Sequence, residues 1–432
     1  MKNHRASAGL FACACIGLAP MAFADGSVYA MTNALGSNQI KVYHRASDGT
    51  LLLMQTVRTS GGGSGIQLDG TDSLGSQGSL ILDKNHQRLF AVNTESLATH
   101  TASGPLTGDC EQGSISSFLV GSDGTLTFVE KTPSGGMFPN SLTIDGNVLY
   151  VLNAGGPGIS PTCGHAPNIT GFTVTAAGKM TPLNKSTQSI NPGTTPTSFL
   201  NCDATPGSSF STPEYQCGMN PPAFPRSPGQ VGFTPGGKAL IVTEKATNSI
   251  YVFPVKNNTP RAPVISKAYG PNQPTYFGFA FDANDHLIVA EPFGATPVIP
   301  AQPFSAVSSF AIGGDGILHE ISAEVPTGQG TGCWIAVVGT WAYTSDNGTG
   351  NISIYQIASD GTLTLMTSAG GSVTGPNDLA VAADGTSTYL YALEAGAGTI
   401  GAFKINSDGS LTFLQSAPGL PVTAGAQGLA AY

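Results

Sequence analysis

Four near-identical turns constrain this chain more than any other feature. The string SDGTL stands at 47–51, 122–126 and 359–363, and SDGSL at 407–411. Asp-Gly is the strongest short hairpin signal, because a type I′ turn needs positive φ at both central positions. Around each copy runs an alternating, β-rich stretch: NQIKVYHRASDGTLLLMQTV (38–57), GSISSFLVGSDGTLTFVEKT (113–132), GNISIYQIASDGTLTLMTSA (350–369) and GTIGAFKINSDGSLTFLQSA (398–417). Weaker copies lie at 168–183, 248–265 and 305–322, which makes seven. Each has a second hairpin of related pattern upstream, as in GSLILDKNHQRLFAVNTE (78–95) and NSLTIDGNVLYVLNA (140–154), with further copies at 229–245, 276–291, 333–347 and 377–394. The unit is therefore four strands, A to D, with the Asp-Gly turn between C and D. Four-stranded sheets repeated around an axis make a β-propeller.

The first unit begins at SVYAMTN (27–33) and lacks its strand A, while an unpaired strand, GAQGLAAY, ends the chain at 425–432. Joining the two closes the ring and leaves no free inner edge. The expected fold is all-β: a seven-bladed β-propeller over 25–432, a single domain closed by the C-terminal strand pairing into the first blade. Fifty-seven glycines and 30 prolines fit a chain made mostly of turns between short strands. Ahead of it, Lys2 and Arg5 precede an apolar run from Leu10 that ends in Ala22-Phe23-Ala24. That pattern reads as a secretory signal over 1–24, and the product as an exported, periplasmic or extracellular monomer. No other segment reads as a membrane span. A net charge of −9 without a basic stripe argues against a nucleic-acid partner.

At about 58 residues per blade the repeat exceeds the ~40–45 of a compact blade. The surplus falls in the B–C connections 96–112, 155–167 and 292–304 and in the D–A link 191–228. Strands alternate in direction, so all four insertions crown one face of the disc. Cys110 and Cys163 lie in neighbouring insertions, and Cys202 and Cys217 share one link. Disulfides 110–163 and 202–217 are the geometrically natural pairing in an exported protein. Cys333 opens an inner strand and reads as a small buried hydrophobe.

The ends of the B strands meet that face near the axis, and only 10% of the chain is charged. Acids concentrated there stand out. Glu244, Lys245 and Glu291 are the catalytic candidates, any one of which could serve as general base on a bound lactone or sugar. Glu95, Asn153, Asp346, Glu394, Gln230 and Tyr276 are the candidate ligand-binding groups, and Gln77, Asn140, Asn377, Asp378 and Gln427 stand at the starts of other A strands. Carboxylates beside amides could equally hold Ca²⁺ or another hard cation, although nothing in the sequence requires a cofactor. The plainer role for such a row is to line a water-filled channel. GGGSG at 61–65 follows a strand D as a linker, and no nucleophile elbow, zinc-protease helix or phosphate loop is present.

F-x-V-x-x-D-G-x-L-T on the strand pairs, VLYVLNAGGPG (148–158), VGFTPGGKALIVTEKATNSI (231–250) and the closing GLAAY resemble the seven-bladed lactonase-like propellers. That family includes propeller-type 6-phosphogluconolactonases and carboxymuconate cyclases, and the chain is most similar to its exported branch. The resemblance implies a lactone-opening or isomerising activity. Characterised members carry Gly-Pro-Arg-His at an inner strand. Here GPNQPTYFGF (270–279) and GPNDLAV (375–381) have neither the arginine nor the histidine. An acidic substrate thereby loses its cationic partners, which leaves a neutral small lactone or sugar-like ligand. The alternative is a non-catalytic propeller that binds a glycan, peptide or protein partner through the stapled loops.

Overall fold

A computed structural model of the chain describes residues 26–65, 72–95, 112–155, 167–190, 228–245, 248–267, 275–292, 305–422 and 424–432. Its strands form seven antiparallel sheets in sequence order, five of four strands and two of five. This is the seven-bladed propeller. The first blade runs Leu51–Arg58, Gln39–Arg45, Ser27–Met31 and then Leu429–Ala431, from rim to axis. Val28, Tyr29 and Ala30 pair with Ala431, Ala430 and Leu429, so the last strand closes the ring. The inner strands of the other blades are Leu80–Asp83, Pro139–Asp145, Pro228–Phe233, Phe279–Phe281, Gly332–Val338 and Pro376–Ala383.

The extra strands in blades three and four come from broken outer strands. Met180–Pro182 and Gln188–Ser189 share one position, as do Thr259–Pro260 and Val264–Lys267. Pro182, Pro260 and Pro263 cannot donate to a ladder, so proline interrupts the strand where the other blades run on.

The repeated turn does more than reverse the chain. Each aspartate accepts hydrogen bonds within its own turn, as Asp48 does from the Thr50 amide (2.9 Å) and hydroxyl (2.6 Å). The leucine after it is where the neighbouring blade attaches. Gln415 accepts from Leu51 N–H (3.1 Å) and donates to Leu51 C=O (2.9 Å). Gln55 does the same to Leu126 (2.8 and 3.1 Å). Glu130, at the matching position of the next blade, accepts from the Met180 amide. Hairpins at the rim are thus fastened blade to blade by one repeat position, eight residues after the serine of the turn. Between the sheets lie clusters of fully buried side chains, among them Leu89, Phe90, Ile115, Phe118 and Leu149.

Candidate active site

Residues 72–79 lie across the axis on the face where the inner strands begin. Leu74 N–H donates to Gln427 Oε1 (2.9 Å), and Gln427 Nε2 donates to Ser76 C=O (2.7 Å). Trp334 Nε1 reaches the same carbonyl from the sixth blade (2.9 Å). Gln77 is held on both sides of its carboxamide by Ile335, donating to its C=O (2.8 Å) and accepting from its N–H (3.0 Å). Its backbone N–H donates to Gly229 C=O in the fourth blade (3.1 Å), and Ser76 Oγ donates to Asn140 C=O in the third (2.6 Å). A segment that leaves the first blade therefore ties together the first, third, fourth and sixth blades. The link from 59 to 79 is as long as the insertions that stood out in the sequence, yet its repeat-like flanks hid it.

Lys245 is part of this arrangement. Its ammonium is buried, donates to Gly75 C=O and stands 4.5 Å from the centre of the Phe277 ring. Lys245→Met keeps the aliphatic stem and leaves that buried carbonyl without this donor. It should lower stability by about 1–3 kcal/mol, measurable as a shifted urea midpoint with an unchanged slope.

The row at the ends of the B strands is buried, apart from the half-buried Glu95, and mostly fastened within its own blade. Glu95 accepts from Ser114 Oγ (2.6 Å), Lys131 Nζ (3.2 Å) and Gly62 N–H (3.0 Å). Asn153 Nδ2 donates to Ser134 C=O (3.3 Å) and Asn168 Oδ1 (3.0 Å). Glu394 accepts from Thr374 N–H (3.0 Å) and Thr399 Oγ1 (2.7 Å). Each of these side chains holds the link that enters its own blade. Glu244 is buried at the end of strand Ala239–Glu244. Tyr276 packs edge-on to Phe310 inside the fourth-to-fifth-blade cluster.

Two members of the row differ. Neither carboxylate oxygen of Glu291 has a hydrogen-bond partner, and the side chain is fully buried. Burial pushes its carboxyl up to about 8, which the nearby Ser308 hydroxyl, already accepting from Glu324 N–H at 2.9 Å, only softens. Asp346 accepts from Ser353 Oγ (2.7 Å) on one oxygen while the other has no partner. Burial raises it to about 7. Among the described residues no three His, Cys, Asp or Glu side chains are placed to share a metal ion. Cys333 is buried as a free thiol. Cys110, Cys163, Cys202 and Cys217 lie outside the described residues, as do the crown insertions and residues 1–24.

Below the crossing segment the axis holds a cavity of about 300 Å³, at the lower end of small-molecule sites. Gln77, Gln230 and Asp378 line its upper part, and Ile81, Leu82 and Ile144 lie further along the inner strands. Asp378 is 2% exposed. It accepts from Leu379 N–H (2.9 Å) and, across the blade boundary, from Leu429 N–H (3.1 Å). Burial outweighs these bonds and raises its carboxyl to about 8.

The same position recurs in two other inner strands. Ser141 Oγ accepts from Val231 N–H (3.1 Å), and Gln230 Oε1 accepts from Phe279 N–H (2.7 Å). Each precedes an aliphatic residue, in Ser141-Leu142, Gln230-Val231 and Asp378-Leu379, and each caps an inner-edge amide of the next blade. Serine and glutamine do this without charge. Only the seventh blade uses an ionisable group there, at the cost of burying it. Of the residues the sequence placed at the mouth, Gln77, Gln230 and Asp378 line the cavity, whereas Glu244, Lys245 and Glu291 do not. Gln77 and Asp378 were legible as inner-strand starts but not as a group apart.

Comparison with known proteins agrees with this architecture. Residues 239–378 match the model of a family described as Lactonase, 7-bladed beta-propeller. A periplasmic gluconolactonase of Pseudomonas aeruginosa superposes with a TM-score of 0.63 at 16% identity, over 94% of this chain and 98% of that one. A 6-phosphogluconolactonase candidate from Bacteroides fragilis gives 0.61 at 16% identity, over 96% and 99%. A hypothetical selenium-binding protein from Sulfolobus tokodaii gives 0.53 at 10% identity, over 94% and 93%. No curated protein matches the chain in sequence. Likeness at these identities is likeness of fold, and one fold hosts many activities. By its match over 239–378 and its seven closed blades, the chain resembles the lactonase family of seven-bladed β-propellers.

Proposed function

We propose that this chain is an exported lactonase-like hydrolase that opens a small neutral lactone in the axial cavity, with Asp378 as general base. The observation that carries the proposal is the ionisable group at a repeat position that Ser141 and Gln230 fill without charge, placed where the cavity meets the axis-crossing segment. In the ionised state Asp378 takes a proton from a water molecule as that water attacks the lactone carbonyl. The ring C–O bond then breaks, and the departing alkoxide recovers the proton to give the hydroxy acid. A group that titrates near the working pH suits both transfers. Gln77 and Gln230 each have a second amide N–H beyond the bond to a strand carbonyl, suited to orienting ring oxygens.

Neutrality of the substrate follows from the charges. Among the described residues no lysine or arginine lines the cavity, and the ammonium of Lys245 is engaged by the Gly75 carbonyl. A phosphorylated or carboxylated lactone would bring its anion beside Asp378 with no cation to meet it. Export rests on the signal-like residues 1–24, and no helix among the described residues is long and apolar enough to cross a membrane.

The test is proton release from a panel of lactones: glucono-δ-lactone, γ-butyrolactone, an aromatic lactone and a phosphorylated sugar lactone. Turnover confined to the neutral members is the expected result. Turnover only of the phosphorylated one would overturn the assignment of substrate. No turnover at all would shift the function to binding of a glycan, peptide or protein partner.

A further inference from the structure

The cavity has two ends, and they differ. At the end where inner strands begin, residues 72–79 cross the axis, and Asn140, Ser141, Asn377 and Gln427 around them are 0% exposed. At the other end Ile81, Leu82, Ile144 and Gly232 are half-buried. An inner strand is packed by the neighbouring blades on both faces of its sheet, so the exposure it retains before its turn, where Asp145 and Ala383 meet bulk solvent, faces the axis. Exposure along these strands therefore maps where solvent stands in the channel. Apart from Gln77, Gly78 and Gln230, which border the cavity itself and are half-buried, it rises from the strand starts towards the A–B turns.

We infer that ligands reach Asp378 from the A–B turn face of the disc, through the aperture beside Leu82 and Ile144, and not from the face that bears the B–C connections. This rests on the proposed function for the identity of the ligand but on geometry alone for the route. Asp378 lies at the closed end, so a lactone must enter ring first, and any substituent trails past Ile81, Leu82 and Ile144. These three residues are then the specificity-determining contacts for substituents on the ring. The polar groups beside Asp378 contact the ring itself. The route also assigns the axis-crossing segment a function, as the wall against which the substrate stops.

The test uses the full chain and two positions. Ile144→Trp, at the open end, should raise KM for glucono-δ-lactone by about tenfold or more while kcat changes little. Thr349→Trp, on an exposed B–C turn of the opposite face, should change neither. Because a tryptophan at 144 could disturb packing, Ile144→Cys provides a second measurement. Its thiol should react with a small maleimide in the folded protein, be protected by glucono-δ-lactone and, once carrying a bulky maleimide, abolish turnover. Persistence of full turnover after complete modification at 144 would overturn the route. So would a thiol at 144 that stays unreactive in the folded protein, a result that can be read even if no lactone is turned over.

Discussion

Asp378→Ser is expected to fold as the parent protein does and to lose lactone turnover by a factor of about 10²–10⁴, the range for removing a general base. The serine is chosen from the protein's own repeat, since Ser141 caps Val231 N–H from the matching position. It should cap Leu429 N–H in the same way, so the seventh and first blades stay joined. A charge disappears and the scaffold does not. Asp378→Gln, which copies Gln230, should behave alike if the serine proves too short. In the parent, kcat/KM should climb with pH and level off above about 8, where burial places this carboxyl. Unfolding by urea separates the two roles. Parent-like stability with lost turnover supports catalysis by Asp378. Parent-like stability with parent-like turnover would reduce Asp378 to a blade-to-blade fastener and remove the assigned base.

The second large effect is on stability. Burial raises Glu291 and Asp378 to about 8 and Asp346 to about 7, from ordinary values of 4.5, 3.8 and 3.8. At a pH below those ordinary values the three groups are protonated in both the folded and the unfolded chain. As pH rises through them, the unfolded chain releases protons that the folded chain keeps. Stability then falls with rising pH, by up to about 1.4 kcal/mol per pH unit for each group. The fall ends once the folded-state values are passed. Turn aspartates such as Asp48 and Asp123 are held below the ordinary carboxylate value by the hydroxyls of Thr50 and Thr125. They change stability only at lower pH, and in the opposite direction. The melting temperature should therefore peak near pH 4, where the ordinary carboxylate values lie, and decline towards pH 8. Glu291→Gln should remove one group's share of the decline and leave the protein more stable than the parent above pH 8. A profile that is flat, or that rises over this range, would mean the buried acids are ionised and compensated.

Local chemistry made the fold readable. Asp-Gly turns act over four residues, strand alternation over seven or eight, and a strand missing from the first blade matched one left over at the end. Even the broken outer strands of blades three and four show in the sequence as prolines, once the sheets are in view. The site was less readable because its contacts are distant. Lys245 meets Gly75 across 170 positions, Trp334 meets Ser76 across 258, and Gln427 meets Ser76 across 351. A lysine after a strand-end glutamate looks like exposed charge until the carbonyl it serves is placed beside it. Acids at the B-strand ends stood out by type and position, whereas Asp378 stands out only against Ser141 and Gln230. That comparison needs the register of three inner strands and the knowledge that each caps an amide of the next blade.

The pairing of Ser27–Met31 with Leu429–Ala431 also sets an order in time. Of all the described strands, the one that completes the first blade is the last to be synthesised. Until it arrives, the first blade has three strands with an open inner edge, and the seventh blade has no neighbour to close against. Six blades can stack as they emerge, yet the ring cannot lock before Leu429–Ala431 has been made.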